Sequence, residues 1–185
     1  MTESSAPRIG LSPAGLTAFA VPFVALAIAY LWGSILALDY VHVLLGAIWT
    51  GVDVFLGLLF STVMSNAPLE TRTNVAVRIL PMTLFFIPSV SIAVPLAGYL
   101  LASSEGIFTL STWLFRAIII MGFLLVGTGF STIVPYSIRI VKSINGGAGE
   151  GRLPGYLRII SAGALVQMVF QIAIISLMAY IVVYL

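Results

Sequence analysis

The chain has no cysteine and only one histidine among 185 residues. Disulfides, thiolate zinc sites and cysteine-bound iron–sulfur clusters are therefore excluded within this chain, and so is any centre built from several histidines. Charge is scarce as well. Lys, Arg, Asp and Glu together make up 8% of the sequence, against about 25% in ordinary soluble domains. The net charge of +2 leaves no basic footprint for nucleic acid. No catalytic triad, paired-carboxylate site or zinc motif is visible.

What is abundant is apolar. Hydrophobic residues are 61% of the chain and the mean hydropathy is +1.17. Several uncharged runs exceed the roughly 20 residues a helix needs to cross the hydrocarbon core. The expectation is an all-α, polytopic membrane bundle forming one domain over residues 1–185, in contact with the lipid bilayer and placed in a prokaryotic plasma membrane. Five spans are read, at about 13–37, 40–64, 68–103, 112–144 and 156–185. Ser12-Pro13 starts the first as an N-cap followed by proline at the first helical position, and Leu38-Asp39-Tyr40 separates it from the second, with Asp39 as cap. Its apolar core is longer than the 7 to 15 residues of a secretory signal, so it reads as a retained span.

The basic residues test this count. Five crossings put Arg8, Arg72, Arg78, Arg139, Lys142, Arg152 and Arg158 on one side and leave Arg116 near the other. Cytoplasmic loops carry the excess of Lys and Arg, which places the N-terminus in the cytoplasm and Leu185 outside.

Polar residues inside the spans then become the candidates for function. Asp53 lies deep in an uncharged stretch; a charge at the centre of a membrane helix costs roughly 2.5 to 3.5 kcal/mol on insertion scales, so it must face protein or water, or be protonated. His42, Gly46, Trp49 and Asp53 are spaced four, three and four apart, one stripe of a helix that should face the bundle. Counting depth at 1.5 Å per residue brings Gln167 of the last span to Asp53, and Met178 to His42. Asp53 with Gln167 reads either as a helix-locking carboxyl–amide pair or as a proton or cation relay. His42 reads either as an interfacial residue bonded to Asp39 or as a ligand, with Met178, water or a second copy's histidine opposite. Arg116 should snorkel or pair with Glu105 or Asp39; holding an anion such as a haem propionate is the alternative.

Pro81, Pro88 and Pro95 recur every seven residues, and Thr83, Ser89 and Ser91 are candidates to bond the carbonyls they free. Gly147, Gly149 and Gly151 read as a flexible linker, since no strand precedes them and no Gly-Lys-Ser/Thr follows.

The segment from Tyr40 through His42, Gly46 and Trp49 to Gly51, a His-x6-Trp-x-Gly pattern opening a membrane helix, resembles the signature helix of the copper-resistance protein D-like family. A basic loop after that helix, a glycine near the end of the next (Gly98) and a last helix running from Arg158 to Met178 resemble the same family. The pattern is also similar to the helix of HemJ-type protoporphyrinogen oxidases, which bind b-type haem. Those continue with Tyr and Arg after the Trp, whereas this chain reads Gly51-Val52-Asp53-Val54-Phe55. The resemblance implies haem b or copper at His42 and Met178, with Trp49 and Arg116 beside the cofactor. Three functions stay open: a haem-binding electron-transfer subunit of a larger membrane complex, a copper or other cation permease, and a purely structural accessory subunit with no cofactor, partnered by other membrane subunits or by copies of itself. Whether the chain is an enzyme is left open too.

Overall fold

The computed structural model describes residues 13–145 and 150–184, which form helices with no strand among them. The order is α1 (Pro13–Trp32), α2 (Ile35–Val54), α3 (Ser61–Asn66), α4 (Leu69–Ser104), α5 (Trp113–Thr128), α6 (Val134–Asn145) and α7 (Leu153–Tyr184). A π-helical stretch, Phe55–Phe60, joins α2 to α3 without a break, and another, Gly129–Ile133, joins α5 to α6. Among the described residues five helices are thus long and apolar enough to cross a membrane: Pro13–Trp32, Ile35–Asn66, Thr83–Ser104, Trp113–Ser143 and Leu153–Tyr184. The polar tail with Arg8 and Ser12, and the linker glycines Gly147 and Gly149, lie outside the described residues. Gly151 belongs to a short 3-10 turn, Glu150–Arg152.

The first connection differs from the sequence expectation. The chain turns at Gly33-Ser34, not at Leu38-Asp39-Tyr40. Gly33 adopts φ +69°, the left-handed conformation that ends helices and that glycine enters without a Cβ penalty. Ser34 then caps α2, its Oγ accepting from the Ala37 N–H at 3.4 Å. Asp39 sits exposed within the second turn of α2 and caps nothing. The turn after α3 is secured by Arg72, whose guanidinium donates to the carbonyls of Ala67 (2.8 Å) and Ser65 (2.6 Å), a cation placed on the last carbonyls of a helix.

Contacts across the bundle fix the registers. α4 runs antiparallel to α2: His42 lies over Gly98, Gly46 meets Val94, and Trp49 clusters with Val90. α7 is antiparallel to α2 as well, with Asp53 against Gln171 and Gly57 against Leu165. It is also antiparallel to the α5–α6 span, where Gln167 meets Leu125 and Gly129, and Tyr156 packs on Tyr136 with ring centroids 5.7 Å apart. Gly163 is required for this approach, because a Cβ there would overlap the Thr132 hydroxyl. α1 packs on the outside of α2 and α4 through Leu26, Ala29, Leu38 and Ala97. α4 stays helical through Pro81, Pro88 and Pro95. Ser91 donates to the Pro88 carbonyl at 2.9 Å and Ser89 has no partner, so neither bonds the Leu84 and Ser91 carbonyls that Pro88 and Pro95 release.

The surface is apolar: Leu31, Phe123 and Val182 are 83%, 75% and 84% exposed. Large side chains facing outward on all sides of a helical bundle suit a lipid solvent, where every backbone group must be satisfied within its own helix.

Gly33→Ala tests the first turn. Nothing lies within 4 Å of a Cβ there, so the cost is conformational alone, about 1 to 2 kcal/mol. A lowered unfolding midpoint in detergent with unchanged helix content is expected, and Asp39→Ala should leave the midpoint where it is.

Candidate functional site

The stripe on α2 faces the bundle interior. Trp49 is 2% and Asp53 0% exposed, and both lie within the span Ile35–Asn66. Asp53 is eighteen residues from the start of α2, about 27 Å along it. Its Oδ2 accepts a hydrogen bond from Gln171 Nε2 at 2.8 Å, while Oδ1 has no partner.

The expected partner was Gln167, and the structure corrects this. Gln167 is fully buried, but its Nε2 donates to the Leu125 carbonyl of α5 at 2.9 Å. Gln171, one turn further along α7, takes Asp53. Depth counting favours Gln167 because it assumes helices with flush ends, whereas at the end where α2 begins and α7 finishes Asp53 lies eighteen residues in from Ile35 and Gln171 thirteen in from Tyr184. The signal that was available is the spacing of Gln167 and Gln171, four residues apart and so on one face.

Two local departures from α-helical geometry frame this layer. The π-helical stretch Phe55–Phe60 starts two residues beyond Asp53. The second, Gly129–Ile133, starts where Gln167 packs, and a Cβ on Gly129 would lie 2.7 Å from Gln167 Nε2. π-bulges shift the backbone hydrogen-bond ladder and occur often at functional sites. Within about two turns of depth, Trp49 Nε1, Asp53 Oδ1, Ser89 Oγ, Gln167 Oε1 and Gln171 Oε1 are all buried without a hydrogen-bond partner. Such atoms are uncommon in native interiors and each asks for a reason.

His42 forms a separate seat. Its Nδ1 is 3.0 Å from the Val94 carbonyl. Since a carbonyl only accepts, Nδ1 carries the hydrogen, and in the neutral ring Nε2 keeps its lone pair. The ring lies over Gly98, where a Cβ would come within 2.8 Å of Cε1. Both contacts are to α4. The expected bond to Asp39 is not made, and Met178 is half-buried on α7. Arg116 is exposed and, among the described residues, forms no ion pair with Glu105 or Asp39. It lines an open cleft of about 420 Å³ with Ser111, Thr112, Trp113, Leu114, Tyr180 and Tyr184, a set that includes neither His42 nor Met178.

Of the ligands that the resemblance implies, His42 is the one whose ring nitrogen the structure leaves uncommitted. A neutral Nε2 with Nδ1–H on a backbone carbonyl is a good single ligand. The imidazole itself packs over Gly98. Among the described residues no three His, Cys, Asp or Glu side chains converge.

Comparison with known proteins returns no family model, no curated protein and no solved structure that matches this chain. The site is therefore read from its own chemistry.

Gly98→Ala should push the His42 ring off Val94 and cost about 1 to 3 kcal/mol, as overpacking does. Loss of the protected Nδ1–H signal in nitrogen-15 spectra reports the displacement. His42→Ala in the same chain should recover most of the lost stability; additive losses would show that Gly98 serves something other than His42.

Proposed function

We propose that this chain is a membrane-embedded cation-handling protein in which Asp53 takes up and releases a proton, with Gln171 and Gln167 as the amides that hold the site. The observation that carries the reading is a carboxyl group with no solvent exposure, inside a span, held by a single neutral donor. One amide does not balance a full charge in the apolar interior, so a positive partner must accompany the carboxylate. A proton is the smallest that fits, and a small dehydrated cation is the other member of the class, with Asp53 Oδ1 and Gln171 Oε1 of the bonded pair both unpartnered. Intramembrane acids mark ion and proton pathways by default.

The orientation belongs to the same reading. Arg72, Arg78, Arg139, Lys142, Arg152 and Arg158 flank the connections at one end and Arg116 the other, which supports a cytoplasmic position for the basic end.

Two experiments test this. In vesicles, Asp53→Asn keeps one hydrogen-bonding amide but cannot carry a proton, so proton flux should fall to background while the protein still folds and inserts. Flux unchanged in Asp53→Asn would show that Asp53 serves the structure alone; flux driven only by sodium or potassium gradients would move the assignment to a metal cation. For orientation, single cysteines in this cysteine-free chain at Asn66 and Arg152 should react with an impermeant thiol reagent from the cytoplasm, and one at Glu105 from outside. Reaction of Arg152→Cys and Glu105→Cys from the same side would overturn the five-span arrangement.

A further inference from the structure

The end of the bundle bearing Glu105 carries one basic side chain among the described residues, Arg116, in the first turn of α5. It lies about 4.5 Å along the helix from Trp113, the depth at which the hydrocarbon core gives way to lipid headgroups. At the opposite end arginines have partners: Arg72 donates to two carbonyls, and Arg139 lies over the Tyr136 ring at 4.5 Å. Arg116 has none. No hydrogen bond or ion pair among the described residues engages its guanidinium, which offers five donors and accepts nothing.

The cleft that Arg116 lines, about 420 Å³, falls within the roughly 300 to 1,000 Å³ of small-ligand sites. Its wall joins two helices. Arg116, Ser111, Thr112 and Trp113 come from the start of α5, and Tyr180 and Tyr184, with ring centroids 4.6 Å apart, from the end of α7. Every one of these side chains has a hydrogen to donate, and no carboxylate is among them. The Thr112 hydroxyl oxygen is buried without a hydrogen-bond partner and does not cap α5, so the first N–H groups of that helix stay open as well. Leu114 ties the cleft to an apolar cluster with Phe115 and Ile181, which fixes α5 against α7. Toward the membrane centre, Ile120 and Leu124 follow Arg116 at four-residue steps on one face of α5, both exposed.

We propose that this cleft binds the phosphate headgroup of an anionic phospholipid, with Arg116 as the phosphate ligand and the acyl chains lying along Ile120 and Leu124. The planar guanidinium matches two phosphate oxygens at once. The tyrosine, serine and threonine hydroxyls are donors for the remaining oxygens, and Trp113 with the two tyrosines forms the aromatic rim that suits the membrane interface. A net negative headgroup is selected over a zwitterionic one, because the wall offers positive charge and donors to phosphate and no carboxylate to an ammonium group. Free phosphate shares the charge chemistry but leaves the apolar stripe below Arg116 unused, so a lipid is the occupant that the whole surface fits. The site is separate from Asp53 and does not depend on its role.

The test titrates the detergent-purified chain with phosphatidylglycerol, phosphatidylcholine and inorganic phosphate and reads bound species by native mass spectrometry. The wild-type protein should hold one phosphatidylglycerol about tenfold more tightly than Arg116→Gln does, the equivalent of one charge-assisted hydrogen bond lost. Arg116→Lys keeps the charge without the fork and should fall between the two. Arg152→Gln, at the opposite end, should leave the tightly held lipid in place. Where Arg116→Gln lowers helix content, Tyr180→Phe removes a single hydroxyl from the wall and should weaken lipid binding in the same direction. Phosphatidylcholine held as tightly as phosphatidylglycerol, or equal losses in Arg116→Gln and Arg152→Gln, overturns the site. Inorganic phosphate that displaces the lipid at equal concentration overturns the lipid as its occupant.

Discussion

A carboxyl group and two amides are buried where lipid offers no hydrogen-bond partner, and the position of α7 follows from that requirement. α7 carries Gln167 and Gln171 on one face and points each at a different neighbour, Gln171 at Asp53 of α2 and Gln167 at the Leu125 carbonyl of α5. Neither neighbour is an ordinary helix beside these contacts. Both pass into π-helical turns, at Phe55–Phe60 and Gly129–Ile133, and Gly57 and Gly129 in those turns face Leu165 and Gln167. Apolar surface does not drive helix association in a membrane, because lipid tails are as apolar as leucine; close packing through small residues and interhelical hydrogen bonds must do so. The three-helix contact among α2, α5–α6 and α7 uses both, and the rest of the bundle is arranged around it.

The two interhelical hydrogen bonds of this layer offset only part of the cost of burying its polar groups. Interhelical hydrogen bonds in membranes contribute about 0.6 to 2 kcal/mol each, whereas a buried polar atom left unpaired costs about 1 to 3 kcal/mol. Two bonds stand beside five unpaired atoms in the layer. Leucine or methionine at Gln167 and Gln171, with an apolar residue at Asp53, would pack the same volume without that cost.

What the sequence made legible is what hydropathy and helical periodicity carry. The five spans and the inward stripe through Gly46, Trp49 and Asp53 are the direct result of composition and a 3.6-residue repeat, and the bundle has both. The first turn was misplaced because Asp39 is an equally good cap by residue type, and only the backbone distinguishes it from Ser34, which follows a glycine at positive φ. Partner assignment across helices was less legible. Counting from helix ends carries an error of a full turn whenever ends are uneven, and a full turn is the spacing between Gln167 and Gln171. Gly98, which seats the His42 ring, is a missing side chain that leaves no mark on a hydropathy profile.

His42 and Asp53 occupy one face of one helix yet are held by opposite means. The imidazole is fixed by a backbone carbonyl and a glycine, contacts that leave its second nitrogen available and its position independent of any other side chain. The carboxyl is held by a side-chain amide that itself has an unpaired oxygen, within turns whose backbone ladder is already irregular. A fixed group near the end of the span and an adaptable one near its middle thus share one face of α2, separated by Trp49. A group that must gain and lose a proton needs neighbours that can reorient, and amide and hydroxyl side chains can do so while a helix backbone cannot.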